Sequence, residues 1–158
     1  HWSHCYNKGS FTVEPAMSAC PLCDPKAETV LYQNEHLRVI LVTDQVLVPA
    51  YCRVIWQQHV AEMSDLSATE RQVLMDMVYF VESQMRHLLQ PQKINLASFG
   101  TMVPHQHWHV IARFSDDAYY PDSIWSQAHH QNSPSLPADW VQRLQTALNA
   151  YQGVNHAG

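Results

Sequence analysis

The chain has 158 residues, a length typical of one domain built around a single core. Hydrophobic residues make up 46% and charged residues 15%, a globular balance that excludes a disordered chain. The formal net charge is -5 with 9 Lys plus Arg, which is a poor match for nucleic acid but still allows a positive pocket for a small anion. No apolar run reaches about 18 residues, so no membrane partner is expected.

The first sixteen residues precede Met17 and lack the apolar core of a signal peptide. We therefore expect Met17 to be the natural start, residues 1–16 to be an extension, and the location to be cytoplasmic. The domain is expected over residues 17–125, followed by a loop and a C-terminal helix over residues 126–158. In the cytoplasm, Cys5, Cys20, Cys23 and Cys52 are expected to be reduced or metal-bound rather than disulfide-bonded.

Apolar periodicity predicts five strands and two helices. The predicted strands cover residues 28–33, 36–43, 52–57, 94–99 and 107–114. A long helix follows a capping box of Ser67 and Glu70 and ends before Pro91. A C-terminal helix is predicted over residues 139–151, after a stretch that is mainly loop. Strands, one long helix and further strands with short links favour an antiparallel α+β layer.

Three histidines alternate in the segment that leads into and begins the fifth predicted strand, at His105, His107 and His109. Because side chains alternate in a strand, the three imidazoles are expected on one face, with Cα atoms about 7 Å apart. Such a row is compatible with a histidine-rich surface strand, with metal binding, or with covalent catalysis in which an imidazole nitrogen attacks phosphorus.

The sequence His-x-His-x-His followed by two apolar residues resembles the signature of the histidine triad (HIT) family. Further segments resemble that family in order and spacing: Cys20-Pro21-Leu22-Cys23, Val39 to Asp44, Cys52 to His59, Asp65-Leu66 and Asn95. The resemblance covers roughly residues 20–125. It implies an α+β half-barrel with one long helix, in a homodimer formed through that helix and the adjoining strands.

The resemblance also implies the chemistry of a HIT-type hydrolase acting on phosphoramidate or phosphoanhydride bonds of nucleotides. His107 would attack the α-phosphate, and water would then release the nucleoside monophosphate from a nucleotidyl-histidine intermediate. Asp44 would hold the ribose hydroxyls and His109 would donate to a phosphate oxygen or to the ester. The expected nucleotide-binding residues are Asp44, Asn95, Thr101, Met102 and His109. No cofactor is required for this chemistry.

A structural zinc site is a further implication of the resemblance. The uridylyltransferase branch of the family holds zinc with a Cys-x-x-Cys pair and two distant histidines. The matching residues are Cys20, Cys23, His59 and His105. The alternative is that the two cysteines are free thiols in a loop.

The segment before the histidines departs from the phosphoramidase branch, which has Gly-Gln-Ser-Val where this chain has Gly100-Thr101-Met102-Val103. Met102 cannot donate a hydrogen bond to a leaving group as serine does, so the sequence leaves the leaving group open. Two other functions also stay open. The three histidines can hold a catalytic metal, or the domain can bind nucleotides without turnover.

Overall fold

The computed structural model describes residues 20–153, so the expected start at Met17 and the extension 1–16 lie outside the described residues. The elements are β1 Thr29–Gln33, β2 Leu37–Leu41, β3 Tyr51–Trp56, a short 3-10 helix Met63–Asp65, α1 Ala68–Leu89, β4 Lys93–Ala97, β5 His107–Arg113 and α2 Trp140–Asn149. Each predicted strand and helix is present, with ends shifted by a few residues at most.

The strands form one open antiparallel sheet in the order β1-β2-β3-β5-β4. The first two strands are a hairpin whose turn is closed by Asn34. Its Oδ1 accepts the backbone N–H groups of His36 and Leu37 at 2.8 and 3.0 Å, which satisfies donors that the turn leaves unpaired. The predicted antiparallel α+β class is confirmed, and β5, which carries two of the histidines, lies between β3 and β4.

Helix α1 begins at the capping box that the sequence predicts. Ser67 Oγ accepts the Glu70 N–H at 3.1 Å, and the Glu70 carboxylate accepts the Ser67 N–H at 2.8 Å. The helix ends at Leu89 and is capped by Gln90, whose left-handed backbone (φ 49°) suits a C-terminal cap directly before Pro91. Local chemistry therefore fixes both ends of the longest element.

Both helices pack on the same face of the sheet. Helix α1 buries an apolar stripe of Leu74, Met77, Val78, Val81, Met85 and Leu89, and α2 adds Trp140, Leu144 and Leu148. The strands meet them with Val39, Val54 and Val110. Trp108 alternates with His107 and His109 along β5 and packs against the same cluster. Among the described residues, neither α-helix is long and apolar enough to cross a membrane.

The opposite face of the sheet carries the polar residues of β3 and β5. In the antiparallel register, Ile55 pairs with His107 and Arg53 pairs with His109. Paired residues project to the same face of a sheet. The helices leave this face uncovered, and the segment around Cys20 and the loop after β4 border it.

Candidate functional site

The three histidines do not form one uniform row. His105 precedes β5, is almost fully buried, and hydrogen-bonds through Nε2 to the carbonyl oxygen of Trp56 at 2.5 Å. Its Nδ1 faces the cysteine sulfurs, 3.4 Å from Cys20 Sγ. The His107 and His109 rings contact each other edge to face, with centroids 5.1 Å apart. The structure thus separates His105 from the pair that follows it.

The four residues expected to bind zinc lie together. Cys20, Cys23, His59 and His105 offer ligand atoms that all lie within 4.8 Å of one another. The nitrogens of His59 and His105 are 3.3 Å apart, and Cys23 Sγ is 3.5 Å from His59 Nδ1. Ordinary zinc bond lengths in a tetrahedron place two nitrogens about 3.4 Å apart and nitrogen and sulfur about 3.6 Å apart. This cluster can therefore hold a metal ion.

Two details of the cluster bear on metal binding. A carbonyl oxygen only accepts, so the bond to Trp56 places the His105 proton on Nε2 and leaves Nδ1 as the metal-facing lone pair. Cys23 is disulfide-bonded in this structure, contrary to the expectation of reduced cysteines. A disulfide sulfur is a poor ligand because metals bind thiolates, so reduction of Cys23 would have to accompany metal binding.

His107 is oriented by its own neighbour. Its Nδ1–H donates to the carbonyl oxygen of His105 at 2.6 Å. This bond fixes the proton on Nδ1 and leaves the lone pair on Nε2. Burial lowers the pKa of His107 below its ordinary value, with the Arg53 charge acting in the same direction. The ring is therefore neutral near pH 7, and a neutral imidazole with a free lone pair is a nucleophile.

His109 is held by Tyr51, whose hydroxyl lies 2.7 Å from His109 Nδ1. The same hydroxyl accepts a long bond of 3.4 Å from Arg53 Nη2. Burial, followed by the charges of His107 and Arg53, lowers the pKa of His109 to about 3. His109 is consequently a neutral hydrogen-bonding group near pH 7.

Two cavities meet at Arg53. The first has a volume of about 570 Å³ and is lined by Asp44, Lys26 and Glu28 among others. The second, of about 540 Å³, is lined by His107 and His109. Pro21, Leu22 and Arg53 line both cavities. Arg53 Nε is buried without a hydrogen-bond partner among the described residues, so the guanidinium retains donor capacity at the boundary.

The remaining predicted nucleotide-binding residues divide between these cavities and a third one. Asp44 lies exposed in the first cavity, and Thr101 and Met102 line the second. Their loop follows β4 and contains Gly100, whose φ of +69° favours glycine. Asn95 instead lines a cavity beside β4, where its Oδ1 accepts from Arg113 Nη1 at 2.8 Å. The structure therefore does not bring Asn95 to His107.

Four residues of the site carry no role in the sequence prediction: Tyr51, Arg53, Phe99 and Trp125. Tyr51 and Arg53 alternate on β3, and their proximity to His109 depends on β3 pairing with β5. Trp125 lies in a stretch predicted only as loop, and its ring centroid is 5.0 Å from that of His109. Its signal in the sequence is limited to a large aromatic residue within a polar segment.

A protein-family model and several solved structures are similar to this chain. No curated protein matches it. A family model described as the HIT domain matches residues 25–116. A histidine triad protein from Bradyrhizobium japonicum is similar at 23% identity over 78% of this chain and 89% of that one, with a TM-score of 0.62.

Two other solved structures show the same similarity of fold. A histidine triad (HIT) protein from Sinorhizobium meliloti is 18% identical over 89% of this chain and 96% of that one, with a TM-score of 0.61. A protein named HIT family hydrolase from Clostridium thermocellum is 19% identical over 66% of this chain and 96% of that one, with a TM-score of 0.50. The family model spans more than half of this chain and includes the histidine strand, so the chain belongs to the histidine triad family.

Proposed function

We propose that the chain is a nucleotide hydrolase or nucleotidyl transferase that cleaves its substrate at the α-phosphate through a nucleotidyl intermediate on His107. The observation that carries this proposal is the bond from His107 Nδ1–H to the His105 carbonyl. It leaves Nε2 unprotonated on a ring that lines a cavity beside a second neutral histidine and an arginine. The name of the Clostridium thermocellum relative, a hydrolase, supports the same class of reaction.

The reaction proceeds in two displacements. His107 Nε2 gives its lone pair to phosphorus, a P–N bond forms, and the bond from phosphorus to the leaving group breaks with its electron pair. Solvent protonates the leaving group. Water, or another acceptor in a transferase, then attacks phosphorus. The P–N bond breaks, its electron pair returns to Nε2, and the water proton passes to solvent.

His109 stabilises the negative charge that builds up on the phosphate oxygens. The Tyr51 hydroxyl oxygen accepts from Arg53, so its own proton is available for His109 Nδ1. That arrangement places the His109 proton on Nε2, from which it can be donated to phosphate. A fixed donor of this kind acts without reorganisation in the transition state.

Substrate binding uses the two cavities. The exposed Asp44 carboxylate accepts both ribose hydroxyls in the first cavity, and the backbone of Thr101 and Met102 borders the phosphate in the second. Arg53, which lines both cavities, binds the α-phosphate between them with its planar fork of donors. The partner is a small nucleotide.

We also propose that Cys20, Cys23, His59 and His105 bind a structural zinc ion once Cys23 is reduced. Four protein ligands close the coordination sphere, which is typical of structural zinc and leaves no open position for catalysis. When bound, the metal would fix His105, whose carbonyl orients His107. The chemical step itself involves His107 and not the metal.

The homodimer implied by the family is a further proposal. Strand β4 is an edge of the sheet, and an unpaired edge offers backbone donors and acceptors to a second copy. Sedimentation equilibrium of the purified chain would give the mass of a dimer, and a monomer mass at high concentration would contradict this proposal.

One experiment separates the proposed mechanism from its alternatives. Adenosine phosphoramidate and dinucleoside polyphosphates are offered to the wild type, to the wild type with EDTA, and to His107→Asn. We expect turnover to survive the chelator and to be lost in the variant, with a nucleotidylated wild-type protein detected by mass spectrometry. The matched control is His87→Asn, at an exposed histidine in the last turn of α1, which should keep full activity.

The alternatives give different results in the same samples. A catalytic metal held by the histidines predicts loss of activity in both EDTA and the variant. A binding module without turnover predicts nucleoside monophosphate binding and no product in any sample. Either result would overturn the covalent mechanism.

A further inference from the structure

The second cavity is bordered by exposed apolar side chains. Six large hydrophobic residues are strongly exposed among those the structure describes, and three of them, Phe99, Met102 and Trp125, line this one cavity. Their exposed fractions are 63%, 95% and 50%. A cluster of large exposed apolar side chains often marks a binding site, whereas single exposed ones are ordinary on a protein surface. The cluster therefore indicates a ligand-binding site beside His107.

Two of these side chains form a fixed aromatic wall. The Trp125 ring meets the Phe99 ring edge to face at 4.9 Å and the His109 ring edge to face at 5.0 Å. Phe99 and His109 are 6.0 Å apart, so the three rings contact one another. Mutual contact orders the rings before any ligand arrives, which reduces the entropic cost of binding a further ring. The wall is adjacent to the nucleophile because His109 also contacts His107.

The charges around the cavity limit which chemical groups can bind in it. Among the residues that the structure describes, no carboxylate lines this cavity, and the only permanently charged side chain in its lining is Arg53, at the boundary with the first cavity. A cationic group placed there would lose hydration and gain no ion pair. Acidic residues line the adjoining cavities instead, with Asp44 in the first one and Glu82 in the one beside β4. An apolar group therefore suits the second cavity, and a ring suits its aromatic wall.

We propose that the second cavity is a leaving-group subsite that selects a neutral aromatic group attached to the α-phosphate. This inference rests on the proposed function, because it takes the nucleoside to lie in the first cavity and the phosphate to lie at Arg53. Met102 then contacts the departing ring where the phosphoramidase branch has a hydrogen-bonding serine. The subsite thus explains both the methionine in place of the serine and the aromatic wall of the cavity.

The test measures binding separately from turnover. Adenosine phosphoramidates of phenethylamine, propylamine and cadaverine are titrated calorimetrically into His107→Asn, and their kcat/KM values are measured with the wild type. All three are primary alkyl amines, so the broken bond has similar intrinsic reactivity. We expect the phenethylamine compound to bind about tenfold tighter than the propylamine compound. The cadaverine compound, with its terminal ammonium, should bind most weakly.

Substitutions in the aromatic wall test whether the wall causes the preference for the phenethylamine compound. Trp125→Ala should reduce the phenethylamine preference to about twofold or less, and Trp125→Phe should keep most of it. The matched control is Tyr79→Ala, which removes a similarly exposed aromatic residue from α1 and should leave the preference unchanged. Both Trp125 and Tyr79 are about half exposed, so neither substitution empties a core position.

The outcomes that overturn the inference are distinct. Equal binding of the three compounds, or an undiminished preference in Trp125→Ala, contradicts the subsite while leaving the proposed function intact. Phe99 and Trp125 also line the cavity beside β4, so a second copy of the chain is a competing occupant. Dissociation of a dimer by Trp125→Ala with the preference unchanged would assign the wall to that interface. Failure of every nucleotide to bind or react would refute the proposed function itself.

Discussion

Asp44 presents its carboxylate to the first cavity, where the proposed nucleoside binds. Two acceptor oxygens match the two vicinal hydroxyls of ribose, and a deoxyribose has only one of them. We expect the wild type to prefer a ribonucleotide over the matching deoxyribonucleotide. Asp44→Asn should reduce that ratio of kcat/KM by about tenfold, as for loss of a charged hydrogen bond.

The control for Asp44 lies in the same cavity. Asp24 is also exposed there, and Asp24→Asn removes the same charge. The ratio of ribonucleotide to deoxyribonucleotide kcat/KM should therefore stay at the wild-type value in Asp24→Asn. Equal effects of the two substitutions would indicate a general electrostatic role and contradict a specific ribose contact.

Arg53 lies at the boundary of both cavities and is paired across the sheet with His109. If it binds the α-phosphate, Arg53→Gln should lower kcat/KM about a hundredfold, as for loss of one preorganised donor to a developing charge. Arg53→Lys keeps the charge but lacks the planar fork of donors, so its kcat/KM should lie between those of the wild type and Arg53→Gln. Arg86→Gln, at an exposed arginine near the end of α1, should retain wild-type kinetics. Full activity of Arg53→Gln would exclude the phosphate contact.

For single residues, the sequence can predict a role that depends on local spacing. It cannot predict a role that depends on neighbours across the sheet. His107 and His109 could be singled out because their period of two is local. Tyr51 and Arg53 could not, since their role depends on β3 pairing with β5 across more than fifty intervening residues. The different environment of His105 likewise depends on long-range contacts with Cys20 and His59.

Helix α1 shows how a short sequence pattern sets the start of an element. The reciprocal bonds of Ser67 and Glu70 satisfy backbone donors that a helix N-terminus leaves unpaired. Ser67→Ala should lower the free energy of unfolding by about 1 kcal/mol. Urea denaturation monitored by circular dichroism measures this. Ser83→Ala, at an exposed position within the same helix, should change it by no more than about 0.5 kcal/mol. Similar losses in both variants would contradict a capping contribution.

The elements were predictable to the extent that their signals are local. The capping box and Pro91 are both visible in the sequence, and each has its predicted place in the structure. The strand order is different in kind, because β5 lies between β3 and β4 in the sheet while following both in the chain. Which strands become neighbours depends on packing of the whole sheet against the helices, a property that no local pattern contains.

Over the whole molecule, the Cys-His cluster connects segments that are distant in sequence. Cys20 and His105 are separated by 85 positions, and the cluster joins the start of the described chain to the ends of two central strands. A cross-link over such a distance removes much conformational freedom from the unfolded chain. A zinc ion bound there would therefore stabilise the folded domain and hold His105 in position behind the nucleophile.

We predict about one zinc per chain in protein purified under reducing conditions without added metal. Cys20→Ala and His59→Asn should lose most of it, whereas Cys52→Ala, at a buried cysteine outside the cluster, should keep it. Removing zinc should lower the melting temperature by roughly 5–10 °C, because ligand binding at a hundredfold excess over Kd adds about 2.7 kcal/mol. Elemental analysis and calorimetry provide these values. A metal-free protein, or one whose melting temperature chelation leaves unchanged, would refute a structural zinc site.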